Sequence, residues 1–203
     1  AHAVNSGVLP DLTQNDGDDF YFVETRDGAD AQSRLLKIVA ERIPARFNLD
    51  PMRDVQVLCP MHRGHAGTQT LNDELKRLLN PTPETSPTVM RDGTSFATGD
   101  KVMQVVNNYD KDVFNGDMGI IDSVDTLNGK VEILFEDRRV IYERMEVTDL
   151  QPAYAISVHK SQGSEYPAVI FPLLKQHFMM LQRNLVYTGL TRAKKKVIFV
   201  GDP

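Results

Sequence analysis

The chain has 203 residues, a formal net charge of −5, 41% hydrophobic and 25% charged residues, and a single cysteine. This is enough for one sizeable core plus a small extra domain, in a composition ordinary for a soluble globular protein. No apolar run approaches the roughly 18 residues of a membrane span and no signal peptide is visible, so no membrane partner is expected. The lone Cys59 excludes an internal disulfide and fits a reducing cytoplasm, the expected location. The acidic balance argues against a broad nucleic-acid-coating surface but leaves room for a local basic groove.

In chain order, residues 1–19 are rich in Gly, Asn and Asp and predict a tail or linker. Phe20-Tyr21-Phe22-Val23 predicts a short strand. From Ala29 to Phe47, Leu35, Leu36, Val39, Ile43 and Phe47 recur at helical spacing, with Pro44 ending or kinking the helix near Arg42. Asp54 to Cys59 predicts a buried strand. Thr68 to Leu79 predicts an amphipathic helix with Leu71, Leu75, Leu78 and Leu79 on one face, stopped by Asn80-Pro81. Strands alternating with helices indicate a parallel α/β domain. Pro81, Pro83 and Pro87 mark a boundary, after which the period changes. Short strands are expected at Lys101–Val106, Ile120–Val124, Lys130–Phe135 and Val140–Tyr142, with tight-turn signals at Asn115-Gly116 and Asn128-Gly129. Several short strands in about 50 residues suggest a small barrel. After Leu150 the α/β pattern resumes, with a strand through Ile156, a strand at 168–171, a helix from about His177 to Leu190 and a buried strand Val197–Val200.

Residues 155–169 read AISVHKSQGSEYPAV, an apolar run, a polar cluster and a second apolar run. That pattern fits a strand, a helix N-terminus or tight loop, then a strand. Free backbone N–H groups and a glycine at such a turn suit an anion. Lys160 adds charge, Ser161 and Gln162 add hydrogen bonds, and Glu165 offers an acceptor for a hydroxyl such as a ribose. On composition alone a solvated loop between two strands fits equally well. Arg192 lies with Thr188 and Thr191 on an amphipathic segment that runs into Lys194-Lys195-Lys196, which by itself reads as a solvated helix end. Arg63 follows a buried strand and precedes a Gly-rich turn into a helix, where open α/β sheets place ligand-binding residues; a surface arginine is the plainer reading. Asn107, Asn108 and Tyr109 sit where a strand ends, and suit either single-strand binding with bases stacked on the ring or an ordinary hairpin turn. Two look-alikes are rejected. Gly93–Lys101 (GTSFATGDK) has one residue too many between its glycines, Asp100 before the lysine and no helix pattern after it, so it is not a P-loop. Cys59-x-x-His62-x-x-His65 has metal-like spacing but no second cysteine, and no metal site is expected.

The stretch SVHKSQGSEYPAV resembles motif V of superfamily 1 helicases, and looks most like the RecD-like branch, which runs 5′→3′ on single-stranded DNA. Residues 184–194, NLVYTGLTRAK, resemble motif VI of that family, and residues 57–64, VLCPMHRG, resemble motif IV. Residues 99–119, GDKVMQVVNNYDKDVFNGDMG, are similar to the branch's small insertion domain. The order and spacing also match, so the resemblance covers nearly the whole chain. It implies a RecA-like second motor domain at 20–92 and 151–203, interrupted by an SH3-like β-barrel at 93–150. It implies Arg192 as an arginine finger and Arg63 as a second γ-phosphate contact. Gly163 would lie near the phosphates by its backbone and Glu165 towards the ribose, while His159, Lys160, Ser161 and Gln162 would hold DNA-facing and coupling positions. The opening AHAVNSGVLPDL is similar to the end of a first motor domain, so the chain is expected to be the C-terminal part of a longer protein. ATP is then the nucleotide, and Mg2+ would be held by carboxylates of the upstream motor domain. Single-stranded DNA and duplex junctions are the expected partners. The chain alone is expected not to hydrolyse ATP. An ATP-independent binding module, or the helicase part of a conjugative relaxase, are the rival readings.

Overall fold

The structure, a computed structural model, describes residues 19–175 and 183–202. Most of the expected tail, and the start of the helix expected from His177, lie outside the described residues. Two compact units divide the chain, one up to Leu79 and again from Ala155, the other Asn80–Tyr154.

The first unit is a five-stranded parallel sheet. Its strands are β1 (Phe20–Glu24), β2 (Val55–Cys59), β10 (Ala155–Ser157), β11 (Tyr166–Leu173) and β12 (Ala193–Gly201), in the order β1-β12-β11-β2-β10. Every pairing is parallel. β2 and the middle of β11 are buried along their length, as expected of central strands covered on both faces. Parallel neighbours need crossovers, and helices supply them. α1 (Gly28–Lys37) starts at Asp27, whose carboxylate accepts from the Asp30 N–H at 2.8 Å. It runs through a π-helical turn (Ile38–Arg42) into α2 (Ile43–Phe47). The expected disturbance at Pro44 is this turn: the proline ring would clash with the carbonyl four residues back, and one wider turn relieves it without ending the helix. α3 (Thr68–Leu79) buries Leu71 and Leu75, but Leu78 stays 48% exposed, so the expected apolar face does not extend to the last turn. α4 (Arg183–Leu190) leads into β12.

The second unit is antiparallel. β3 (Thr88–Arg91) and β4 (Thr94–Ala97) form a hairpin. β5 (Lys101–Gln104), β6 (Met118–Asp125), β7 (Lys130–Phe135), β8 (Arg138–Tyr142) and β9 (Leu150–Pro152) form a sheet in the order β8-β7-β6-β5-β9. Val131, Ile133 and Phe135 point inward at every second position, onto Ile121, Val140 and Tyr142. Val89 and Phe96 of the hairpin belong to the same core. The unit therefore begins at Asn80 and closes at Tyr154, outside the limits of 93 and 150 expected from the sequence.

Candidate nucleotide and nucleic-acid site

The parallel register sorts the candidate residues onto two ends of one sheet. Cys59 of β2 lies opposite Ser157 of β10, so the loop carrying Arg63 and the turn carrying His159 and Lys160 leave adjacent strands at their carboxyl ends. Tyr166 of β11 lies opposite Ala193 of β12, so Ser164, Glu165 and Arg192 gather at the amino ends. About six strand residues separate the two levels, on the order of 20 Å at a rise of about 3.3 Å per residue. The loop carrying Arg63 and the segment carrying Arg192 therefore leave opposite ends of their strands.

The carboxyl end is built from two short loops. Gly67 closes the first: a Cβ there would lie 2.5 Å from the Arg63 carbonyl carbon, so only glycine lets the loop fold back. The turn places His62 Nδ1 2.6 Å from Thr68 Oγ1, and the Met61 and His62 carbonyls accept from the first N–H groups of α3. His62, Arg63 and His65 are all exposed. The second loop is a 3-10 turn, Val158–Ser161, capped by Ser157. His159 and Gln162 are exposed, and Lys160 is partly covered, its ammonium pulled below the usual lysine range by that burial. Ser161 is fully buried and its hydroxyl donates to the Val158 carbonyl at 2.7 Å. Of the four polar residues expected to face DNA, it is the one whose side chain is turned inward, because it closes the turn.

From Ser161 a tight turn leads back towards the start of β11. The Ser164 N–H donates to the Ser161 carbonyl, Gln162 has φ −62 and ψ 131, and Gly163 has φ +88. These are the angles of a type II turn, which needs glycine at its third position. Nothing lies within 4 Å of where a Gly163 Cβ would be, so the backbone there is open to an incoming group. Glu165 is exposed and forms a loose ion pair with Lys194 at 3.7 Å, of the kind that contributes little on a surface. Tyr166 is buried beneath the turn, where burial pushes its phenol pKa up against the pull of the Arg192 charge. Its N–H donates to the Arg192 carbonyl at 2.8 Å, fixing the turn to the start of β12.

Arg192 is half-buried and held by three neutral acceptors. Nε donates to the Thr188 carbonyl at 3.3 Å, Nη1 to the Ser164 carbonyl at 3.2 Å and Nη2 to Thr191 Oγ1 at 3.3 Å. Among the described residues no carboxylate pairs with it, and its plane is fixed by both the turn and the end of α4. Two of these acceptors are backbone carbonyls, invisible to side-chain reasoning from sequence. The donor set at this end suits a polyanion carrying a hydroxyl. It does not suit Mg2+: the central group is a cation, and no grouping of three or more His, Cys, Asp or Glu fit for a metal occurs among the described residues. Cys59 is buried and its thiol is pushed up by that burial.

The candidates of the second unit occupy the loop between β5 and β6. Asn107 Oδ1 accepts from the Asn115 N–H at 2.9 Å, and Asn108 Oδ1 from the Lys111 N–H at 3.1 Å. Both carboxamide oxygens help build the loop. Tyr109 remains 77% exposed, edge-on to Phe114 at 6.0 Å.

A parallel sheet with loops of this kind at its two ends, interrupted by an antiparallel unit, defines the class: it is the mixed α/β architecture of RecA-like helicase domains. Residues 152–200 match the UvrD-like helicase C-terminal domain, and residues 71–135 match the SH3 domain of ATP-dependent RecD-like DNA helicases. The chain is 37% identical over 148 residues to the ATP-dependent RecD2 DNA helicase of Deinococcus radiodurans, covering 73% of this chain and 20% of that protein. It is 31% identical over 163 residues to the RecBCD enzyme subunit RecD of Haemophilus influenzae, covering 80% and 23%. Among solved structures, Pif1 helicase from Bacteroides in complex with ADP-AlF3 and ssDNA aligns at a TM-score of 0.55 and 17% identity, over 82% of this chain and 44% of that one. Pif1 helicase from Candida albicans aligns at 0.50 and 14%, over 87% and 55%. The chain belongs to the RecD-like helicase family, and it spans about a fifth of the length of these two curated relatives.

Proposed function

We propose that this chain is the second motor domain, with its insertion, of an ATP-dependent DNA helicase that moves 5′→3′ along single-stranded DNA. The observation that carries the reading is Arg192: an un-neutralised guanidinium, fixed in plane, beside an exposed carboxylate and an open glycine turn. In this reading ATP lies between the amino ends of β11 and β12 and an upstream motor domain. Glu165 accepts from the ribose, the Gly163 backbone approaches the phosphates, and Arg192 spreads positive charge over the γ-phosphoryl oxygens as they gain charge. Mg2+ and the P-loop lysine belong to the upstream domain, since this sequence contains no G-x-x-x-x-G-K-[S/T]. Mg2+ would there offset phosphate charge; none of its ligands is assigned to this chain.

The carboxyl end takes the nucleic acid. Arg63, His159, Lys160 and Gln162 stand on adjacent loops and would meet strand phosphates, which fix position but carry no sequence information. Arg63 is thereby assigned to the strand, in place of the γ-phosphate role its motif implied. In the insertion, Tyr109 is the residue for base stacking, with Asn107 and Asn108 shaping its loop. Closure and reopening of two motor domains around ATP would shift the grip on the strand, up to and through duplex junctions.

The test compares the 203 residues alone with the same residues joined to the upstream domain. The isolated chain gives no DNA-stimulated ATP turnover, and the joined protein does. Turnover by the isolated chain that disappears with Arg192→Ala would overturn the division of labour.

A further inference from the structure

Resting on the reading of Arg192 as the finger, we propose that Thr191 is its positioning residue, and that its hydroxyl and the Ser164 carbonyl aim a two-pronged remainder of the guanidinium at the nucleotide. A guanidinium has five N–H donors. Three of those on Arg192 are taken, one on Nε by the Thr188 carbonyl, one on Nη1 by the Ser164 carbonyl and one on Nη2 by Thr191 Oγ1. Each terminal nitrogen therefore keeps one N–H without an acceptor among the described residues. That is the donor pair needed to meet two oxygens of one phosphoryl group.

The hydroxyl of Thr191 is itself oriented. It donates to the Thr188 carbonyl at 3.0 Å, which leaves its lone pairs as the only thing it can present to Nη2. The Thr188 carbonyl accepts from both Thr191 Oγ1 and Arg192 Nε, so hydroxyl and guanidinium are fixed to one point at the end of α4. All three acceptors are neutral: they set the plane of the guanidinium and leave its charge for the substrate. At 3.2–3.3 Å the bonds are long, so the side chain can adjust by a few tenths of an ångström when an anion arrives. Thr191 touches no reacting atom. It acts through Arg192, and its effect falls on the step in which phosphoryl charge grows.

The experiment uses the full-length protein with its upstream domain and compares Thr191→Val, which keeps the shape and removes the hydroxyl, with Thr191→Ser, which keeps the hydroxyl. DNA-stimulated steady-state ATPase is measured beside titration with ADP and with ADP plus aluminium fluoride. Thr191→Val lowers kcat roughly ten-fold, the factor for one hydrogen bond made in the transition state, with KM for ATP and the affinity for ADP within about two-fold. Affinity for the aluminium fluoride complex falls with kcat, and Thr191→Ser recovers most of the rate. A Thr191→Val enzyme with unchanged kcat, beside a dead Arg192→Ala enzyme, overturns the positioning role and leaves the finger standing. Equal losses in the Val and Ser variants also overturn it, since the hydroxyl would then not be the active feature. Unchanged turnover in Arg192→Ala removes the finger reading itself. A thermal melt of each variant checks folding, and Thr191→Ala serves in place of Val if that variant melts early.

Discussion

The two ends of the parallel sheet are made from the same strands and carry opposite designs. At the amino end Arg192 is tied on several sides: its carbonyl to the Tyr166 N–H, its guanidinium to Thr188, Ser164 and Thr191. At the carboxyl end Arg63 and His159 stand exposed on short loops whose backbones are fixed and whose side chains reach outward. In the proposed function the difference follows what each end would do. Stabilising charge that appears only in a transition state rewards a donor held in advance at one position. Holding a strand that must slide rewards charges that tolerate a range of positions, because phosphate contacts are electrostatic and independent of sequence. Fixed geometry at one end and adaptable charge at the other give the comparison its testable content.

The largest effect is expected at the amino end. In the full-length protein Arg192→Ala lowers kcat by on the order of 10³ or more, as loss of an arginine finger does, and lowers kcat/KM with it. Binding of ATP and of oligo-dT stays nearly intact. Arg192→Lys rescues little, since a point charge lacks the planar fork that three acceptors now orient. Steady-state ATPase with saturating oligo-dT, beside nucleotide titration by fluorescence, makes the measurement. A kcat within a few-fold of the unaltered enzyme would make Arg192 an ordinary helix-end residue and dissolve the contrast.

Glu165→Ala comes next and separates binding from turnover at the same end. A carboxylate accepting from a ribose hydroxyl contributes a charge-assisted hydrogen bond, so its loss weakens nucleotide affinity by roughly ten-fold while DNA affinity stays unchanged. Its ion pair with Lys194 is exposed, and breaking it contributes little to the result. A large loss of DNA affinity with an unchanged nucleotide Kd would move Glu165 to the other end's function.

Most of the architecture was legible from periodicity. Thr68–Leu79 and Lys130–Phe135 form a helix and a strand with the expected limits, and β2 and β12 are the buried strands the apolar runs implied. What escaped was structure carried by backbone and by distant partners. The hairpin at Asp92-Gly93, both at positive φ, was passed over as a proline-marked boundary, although Asp-Gly is a strong turn signal. The look-alike at 93–101 has a structural explanation that no spacing shows: Asp100 is buried and accepts from the Ala97 N–H, Asn80 and Tyr154. The motif order names candidate residues but not the end of the sheet each occupies. That depended on strand register, which set Cys59 beside Ser157 and Tyr166 beside Ala193. Register is a tertiary property, and no motif spacing reports it.

That separation supplies the smallest expected effect and the sharpest test of the comparison, because the motif implied a γ-phosphate contact for Arg63 while its loop leaves the carboxyl end of β2. Arg63→Ala and Lys160→Ala each remove one cation from loops on adjacent strands. If both meet strand phosphates, each lowers single-strand affinity a few-fold and reduces the log–log salt slope by about 0.7, the contribution of one phosphate contact on a single strand. Lys160 starts with its charge partly desolvated, so a phosphate arriving beside it offsets a cost already incurred in folding, and its loss is the larger of the two. Neither substitution changes kcat at saturating DNA by more than about two-fold, since an interaction equal in ground and transition states does not alter turnover. Oligo-dT titrations over a range of salt, run beside ATPase on the full-length protein, separate the cases. Should Arg63→Ala leave the slope intact and collapse kcat as Arg192→Ala does, the upstream domain must bring the two ends of this sheet to one phosphate, and the contrast between them would not survive assembly of the motor.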